Sequence, residues 1–109
     1  MYLIYVYYIH KNMKTINDYK KILHDFKKSH ADYYGINRMG IFGSVARGEQ
    51  KEDSDLDICV EMKKPDMFLL IGLKDELKSL LGCDVDVVRL RENMNPFLLN
   101  RIKKEAIYV

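Results

Sequence analysis

Residues 43–57 have the sequence GSVARGEQKEDSDLD, and from this segment we predict both a fold and a chemistry for the chain. Its opening Gly-Ser pair is followed by ten residues and then by an Asp-Leu-Asp triplet at 55–57. Because glycine has no Cβ, a turn at Gly43 can approach a phosphate closely, while Ser44 offers a hydroxyl and backbone N–H groups. Arg47 adds a planar cation whose donors match phosphate oxygens. We therefore predict a phosphate-binding turn made by Gly43, Ser44 and Arg47.

The acids that end this stretch lie on a predicted strand. Side chains alternate between the two faces of a strand, so Asp55 and Asp57 project from the same face. Carboxylate oxygens are the ligands that Mg²⁺ prefers, and a site for two metal ions needs a further acid. The next predicted strand offers Asp84 and Asp86. We prefer Asp86, because valines surround it and an unpaired carboxylate among them would be costly without a metal.

Hydrophobic periodicity and turn residues predict an α/β fold with a small mixed β-sheet flanked by helices. The helix between the second and third strands forms a crossover, which predicts that these two strands are parallel. On that helix the leucines at 70, 73, 77, 80 and 81 should face the core. The predicted helices cover residues 15–31, 65–81 and 95–105, and the predicted strands cover 36–42, 56–61, 84–90 and 106–109.

Composition restricts the class of protein. The chain has 109 residues, enough for one small domain, which we place at residues 13–109. Residues 1–12 are apolar and aromatic and are interpreted as an added arm or extra strand, too short to span a bilayer. A net charge of +2 is too balanced to predict direct nucleic-acid binding. The chain has only two cysteines, so we expect a reduced, cytoplasmic setting. We expect no membrane partner.

The quoted stretch extends into a longer pattern that resembles a known family. GSVARGE and SDLDICV, then VDVV, then a closing EAIYV are similar to the minimal nucleotidyltransferases (MNT) of the DNA polymerase β-like superfamily, over residues 15–109. The resemblance implies that Gly43 and Ser44 hold a nucleotide triphosphate, with ATP as the substrate. It also implies that three acids bind two Mg²⁺ ions and catalyse the transfer: Asp55, Asp57 and Asp86.

The same resemblance implies a partner. Stand-alone MNT proteins are similar to the antitoxin half of two-component systems whose toxin is a helical HEPN ribonuclease. The expected reaction moves AMP from ATP to a tyrosine hydroxyl of that toxin and neutralises it. Two alternatives stay open, namely transfer to a small molecule such as an aminoglycoside, and neutralisation of a partner by binding alone. The chain could also form a homo- or hetero-oligomer.

A surface for this partner is expected near the end of the chain. Phe97 and Leu98 are apolar residues of the last predicted helix, and core packing is the role that we expect for both. Arg101 and Lys104 lie on the same helix and could contribute basic groups to a partner surface.

Overall fold

The computed structural model describes residues 14–51 and 54–109 and confirms the α/β prediction. The predicted arm at residues 1–12 lies outside the described residues, so its interpretation stays a prediction. In chain order the elements are α1 (Ile16–Tyr34), β1 (Ile36–Phe42), α2 (Gly43–Ala46), β2 (Leu56–Met62), α3 (Met67–Leu81), β3 (Val85–Arg89), α4 (Pro96–Glu105) and β4 (Ile107–Tyr108).

The four strands form one mixed sheet in the order β3-β2-β1-β4. β1 is antiparallel to both β2 and β4, whereas β2 and β3 are parallel. The parallel pair confirms the crossover prediction, since a strand that returns through a helix re-enters the sheet in its original direction. As a result, the first residues of β2 and β3 and the last residue of β1 all lie at the same end of the sheet.

The two faces of the sheet carry separate apolar cores. Leu56, Ile58 and Val60 lie on the face covered by α1 and α3, as the alternation in β2 predicts. Cys59 points to the opposite face and packs with Ile102 of α4. The side chains of Asp57 and Cys59 share a face by the same alternation, so α4 covers the face that carries Asp57.

Helix α1 begins where the sequence predicts and ends three residues later than predicted. Thr15 caps it, because the Thr15 hydroxyl accepts from the Asp18 N–H at 3.3 Å and the Asp18 carboxylate accepts from the Thr15 N–H at 2.9 Å. The extra turn is held by Tyr34, which is buried and donates its hydroxyl hydrogen bond to Glu76 on α3. Gly35 then ends the helix in the left-handed conformation.

Helix α3 packs one leucine fewer than predicted. Leu73, Leu77 and Leu81 are fully or almost fully buried, and Leu70 is partly buried. The prediction for Leu80 is wrong, because its side chain is 47% exposed. Consecutive helix residues differ by about 100° in direction, so Leu80 and Leu81 cannot both point at the centre of the same sheet. Among the described residues, none of the helices has the length and apolar character needed to cross a bilayer.

Candidate active site

The strand register brings two of the predicted acids side by side. In the parallel β2–β3 pair, Leu56 lies opposite Val85 and Asp57 lies opposite Asp86. Asp55 comes two residues earlier, just before β2, and is exposed. The fold therefore places the three acids that the sequence singled out at one end of the sheet, where β2 and β3 begin.

The choice of Asp86 over Asp84 agrees with this register, but its physical reason was wrong. Asp86 is exposed rather than buried among its valines, because β3 is the edge strand of the sheet. Asp84 lies before β3 and forms an ion pair with Lys78 of α3 at 3.2 Å. It is therefore the alignment with Asp57, and not burial, that distinguishes Asp86 from Asp84.

The Gly-Ser turn lies directly against Asp57. Phe42 pairs with Asp57 across the β1–β2 ladder, and Gly43 follows at the first position of the short helix α2. Gly43 has a φ of +77°, and a Cβ added there would lie 2.1 Å from Asp57 Oδ2. Only glycine combines a positive φ at low cost with such a close approach. The need for glycine at the predicted phosphate turn thus has a structural cause.

Ser44 and Arg47 differ in whether other residues already hold their side chains. The Ser44 hydroxyl makes no hydrogen bond within residues 14–51 and 54–109, and the residue is half-buried. The Arg47 guanidinium is held by two carboxylates, Glu49 at 2.9 Å and Glu105 at 3.0 Å. The turn therefore presents a serine hydroxyl without a partner in the described part of the chain and an arginine held through its Nε and Nη1 atoms.

Glu105 is a site residue that the sequence reasoning missed. Its carboxylate accepts hydrogen bonds from the Gly43 N–H at 3.1 Å and from Arg47 Nη1 at 3.0 Å, across about 60 residues of sequence. In the sequence, Glu105 belongs to the closing EAIYV of the family pattern, and that pattern does not link it to the turn. A signal was present, because an acid in the last turn of a helix opposes the helix macrodipole and needs a nearby cation.

The carboxylates of the site repel one another, and nearby arginines partly offset this repulsion. The pKa of Asp57 is raised by burial and then by the neighbouring Asp86 and Asp55 charges, while Arg101 and Arg47 act in the opposite direction. Arg101 belongs to α4, so this helix brings a positive charge to the acidic end of the sheet. A bound cation would relieve the repulsion between the carboxylates.

The acids suit magnesium in their chemistry, although they do not already form a closed ligand cluster. In the described part of the chain, no three acidic, histidine or cysteine side chains gather tightly enough to hold a metal by themselves. Mg²⁺ usually keeps several waters and is bound by one or two carboxylates together with substrate phosphates. An open pair at Asp57 and Asp86, with Asp55 beside it, fits that mode of binding.

Comparison of the sequence with known proteins finds a family and several relatives. The family model for the nucleotidyltransferase domain matches residues 19–109. A candidate protein adenylyltransferase of Methanocaldococcus jannaschii is 43% identical over 98 residues, which cover 89% of this chain and 100% of the relative. Protein adenylyltransferase MntA of Thermococcus cleftensis is 36% identical over 98 residues, covering 89% of this chain and 98% of the relative.

Solved structures share the fold. A structure of a minimal nucleotidyltransferase matches with a TM-score of 0.71 and 33% identity, over 88% of this chain and 97% of the other. A chain from a toxin–antitoxin complex, MntA-HpeT, matches with a TM-score of 0.65 and 26% identity, over 89% of this chain and 72% of the other.

Proposed function

This chain belongs to the nucleotidyltransferase domain family, and from that membership we propose that it is a protein adenylyltransferase antitoxin. It transfers AMP from ATP to a tyrosine hydroxyl of a cognate HEPN toxin and thereby neutralises the toxin. The observation that carries the proposal is the alignment of Asp57 with Asp86 beside the Gly43 turn. The relatives named as protein adenylyltransferases and the MntA-HpeT complex support the choice of a protein acceptor.

Each site residue has a role in this reaction. Gly43, Ser44 and Arg47 hold the triphosphate, since a turn with free donors and a cation suits phosphate oxygens. Three acids hold two Mg²⁺ ions, and bound magnesium would neutralise the charge of the triphosphate. These ligands are Asp55, Asp57 and Asp86.

The transfer itself is a displacement at the α-phosphorus of ATP. The tyrosine oxygen forms a bond to this phosphorus, the bond to the bridging oxygen of the β-phosphate breaks, and pyrophosphate leaves. Asp86 is the proposed acceptor of the tyrosine hydroxyl proton, because its exposed position on the edge strand lets an incoming side chain reach it. AMP stays on the tyrosine as a phosphodiester.

A protein acceptor fits the exposed setting of the site. Asp55 and Asp86 are both exposed, so an approaching partner can reach the acidic end of the sheet. The expectation that Phe97 packs in the core was wrong, because its ring is 83% exposed at the start of α4. Phe97 lies one helical turn from Arg101, whose charge acts on Asp57, and residues four apart share a helix face. This face offers an apolar contact and a cation beside the site.

The proposal is tested by following the α-phosphate of ATP. The purified chain is incubated with ATP labelled at that phosphate, Mg²⁺ and a HEPN toxin encoded beside it. We expect label on a tyrosine of the toxin, and we expect chelation of Mg²⁺ to prevent it. In parallel reactions, an aminoglycoside takes the place of the toxin as the acceptor. Label on the aminoglycoside but not on the toxin would contradict the proposal and favour the small-molecule alternative.

A further inference from the structure

Glu105 connects the last helix to both ends of the proposed phosphate turn. Its Oε2 accepts from the Gly43 backbone N–H at 3.1 Å, and its Oε1 accepts from Arg47 Nη1 at 3.0 Å. A single carboxylate therefore holds the first backbone donor of the turn and, together with Glu49, fixes the direction of its cation. Charge-assisted hydrogen bonds of this kind are stronger than neutral ones.

The surroundings of Glu105 show that this contact is a built feature rather than a surface ion pair. Only 20% of its side chain is exposed, compared with 39% for Glu61 in its surface pair with Arg38. Burial raises the pKa of the Glu105 carboxyl, but the hydrogen bonds from Gly43 and Arg47, together with the charges of Arg47 and Arg101, outweigh burial and hold this pKa below its usual range. The side chain is therefore ionised at neutral pH, although it sits in the last turn of α4, where the macrodipole opposes a negative charge.

Glu105 leaves enough donors free for a nucleotide. The guanidinium of Arg47 has five N–H donors, of which Glu105 uses one on Nη1 and Glu49 uses the one on Nε. The Ser44 hydroxyl makes no hydrogen bond to any residue in the described part of the chain. Phosphate oxygens can thus bind at the turn while Glu105 stays in place.

From these contacts we infer that Glu105 is a positioning residue for nucleotide binding, an inference that rests on the proposed function. It does not touch the reacting atoms. It holds the Gly43 backbone and aims the Arg47 guanidinium, so that both are ordered before the triphosphate arrives. Preorganised donors bind a charged group more tightly, because less side-chain entropy is lost on binding.

If Glu105 instead competed with the nucleotide, its removal would change KM for ATP in the opposite direction. A carboxylate on the donors of a phosphate site could act as an internal competitor that ATP has to displace. Removing such a competitor would tighten ATP binding, whereas removing a positioning residue weakens it. The direction of the change in KM for ATP therefore distinguishes the two roles.

The test measures steady-state AMP transfer to the partner with three variants. Glu105→Gln keeps an acceptor for Gly43 but loses one of the two carboxylate charges that hold Arg47, and Glu105→Ala loses both the acceptor and the charge. Glu61→Gln is the matched control, since it breaks a surface pair with Arg38 away from the turn. We expect KM for ATP to rise about tenfold in Glu105→Ala, equivalent to ~1.4 kcal/mol, and less in Glu105→Gln. We expect kcat at saturating ATP to stay within about twofold and Glu61→Gln to match the unmodified chain.

Two further readouts separate positioning from general loss of structure. Affinity for AMP, which carries one phosphate instead of three, should fall less in Glu105→Gln than affinity for a non-hydrolysable ATP analogue. In a chain that already carries Arg47→Ala, adding Glu105→Ala should raise KM for ATP by less than about half as much as it does alone. The reason is that the guanidinium that Glu105 holds is then absent. A general fold defect would lower both affinities together and would show no such coupling.

The outcomes also separate this inference from the proposed function. If the unmodified chain transfers AMP while Glu105→Gln and Glu105→Ala keep its KM for ATP, or lower it, the inference on Glu105 is overturned and the proposed function stands. If the unmodified chain neither binds ATP nor transfers AMP with Mg²⁺ and partner present, both are overturned.

Discussion

Gly43 is the single residue on which the site geometry depends most. Its backbone has a φ of +77°, and the Asp57 carboxylate occupies the space in which any side chain would begin. Gly48 has a similar φ of +73° but nothing within 4 Å of an added Cβ. Comparing substitutions at Gly43 and Gly48 therefore separates the cost of the backbone conformation from the cost of the contact with the Asp57 carboxylate.

Gly43→Ala should destabilise the fold more than Gly48→Ala does. Both substitutions force alanine into the left-handed region at about 1–2 kcal/mol. Gly43→Ala must also displace the Asp57 carboxylate, so we expect about 1–3 kcal/mol of further loss and no AMP transfer. Urea unfolding and the transfer assay measure the two effects. Equal stability of the two variants would show that the Gly43–Asp57 contact is not a constraint.

Asp57→Asn should increase thermal stability at neutral pH while abolishing transfer. Because the folded-state pKa of Asp57 is raised, its stabilising contribution is present below the unfolded value of about 3.9 and is lost as pH rises through the folded pKa. At pH 7 the ionised carboxylate thus opposes folding, and asparagine removes that repulsion. The gain in Tm should shrink as pH falls towards 4.

The measurement is a series of Tm values across that pH range in chelator, with Asp75→Asn as the control. Asp75 is an exposed acid of α3, so this variant changes the net charge equally without relieving the acidic cluster. A Tm gain for Asp57→Asn that grows as pH falls would contradict the direction of the pKa shift.

Among the elements, the parallel register of β2 and β3 determines which acids lie side by side. Asp86 lies opposite Asp57, whereas Asp84 lies outside β3 and pairs with Lys78. Asp86→Asn should therefore lower AMP transfer by at least about a hundredfold, the low end for a lost acid–base group. Asp84→Asn changes the net charge identically and should keep transfer within about twofold. Loss of transfer in Asp84→Asn with retention in Asp86→Asn would reverse the assignment.

The elements show what could be predicted from sequence. Alternation of Leu56, Ile58 and Val60 predicted the buried face of β2, and the crossover helix predicted the parallel direction of β3, because both are local consequences of backbone geometry. The cap at Asn95 predicted the start of α4, and its side chain accepts from the backbone N–H groups of Phe97 and Leu98 at 2.9 and 3.3 Å.

The remaining features depend on contacts between distant parts of the chain. The extra turn of α1 is held by Tyr34 on Glu76, and Glu105 reaches Gly43 only once α4 has packed on the sheet. Leu80 and Phe97 have the apolar character of core residues, but their exposure is set by how their helices lie against neighbours. Side-chain periodicity carries no information on such tertiary placement.

At the scale of the whole molecule, every residue placed in the site lies at or beyond Gly43. A chain that begins at Met13 should therefore fold and transfer AMP at about the rate of the 109-residue chain. Residues 1–12 also lie outside the family match, which covers residues 19–109. Circular dichroism and the transfer assay check the two expectations, with the 109-residue chain as the control. A folded chain from Met13 without transfer would place residues 1–12 in the active site.

We propose that this chain silences its partner by chemistry rather than by binding alone. The most direct measurement is the intact mass of the partner toxin after co-expression with the unmodified chain, with Asp57→Asn, and with Glu61→Gln as the control. We predict one or more AMP groups on partner tyrosines with the unmodified chain and with Glu61→Gln, and none with Asp57→Asn, which should leave the toxin active. A toxin that carries no AMP and is still fully neutralised by Asp57→Asn would contradict the account.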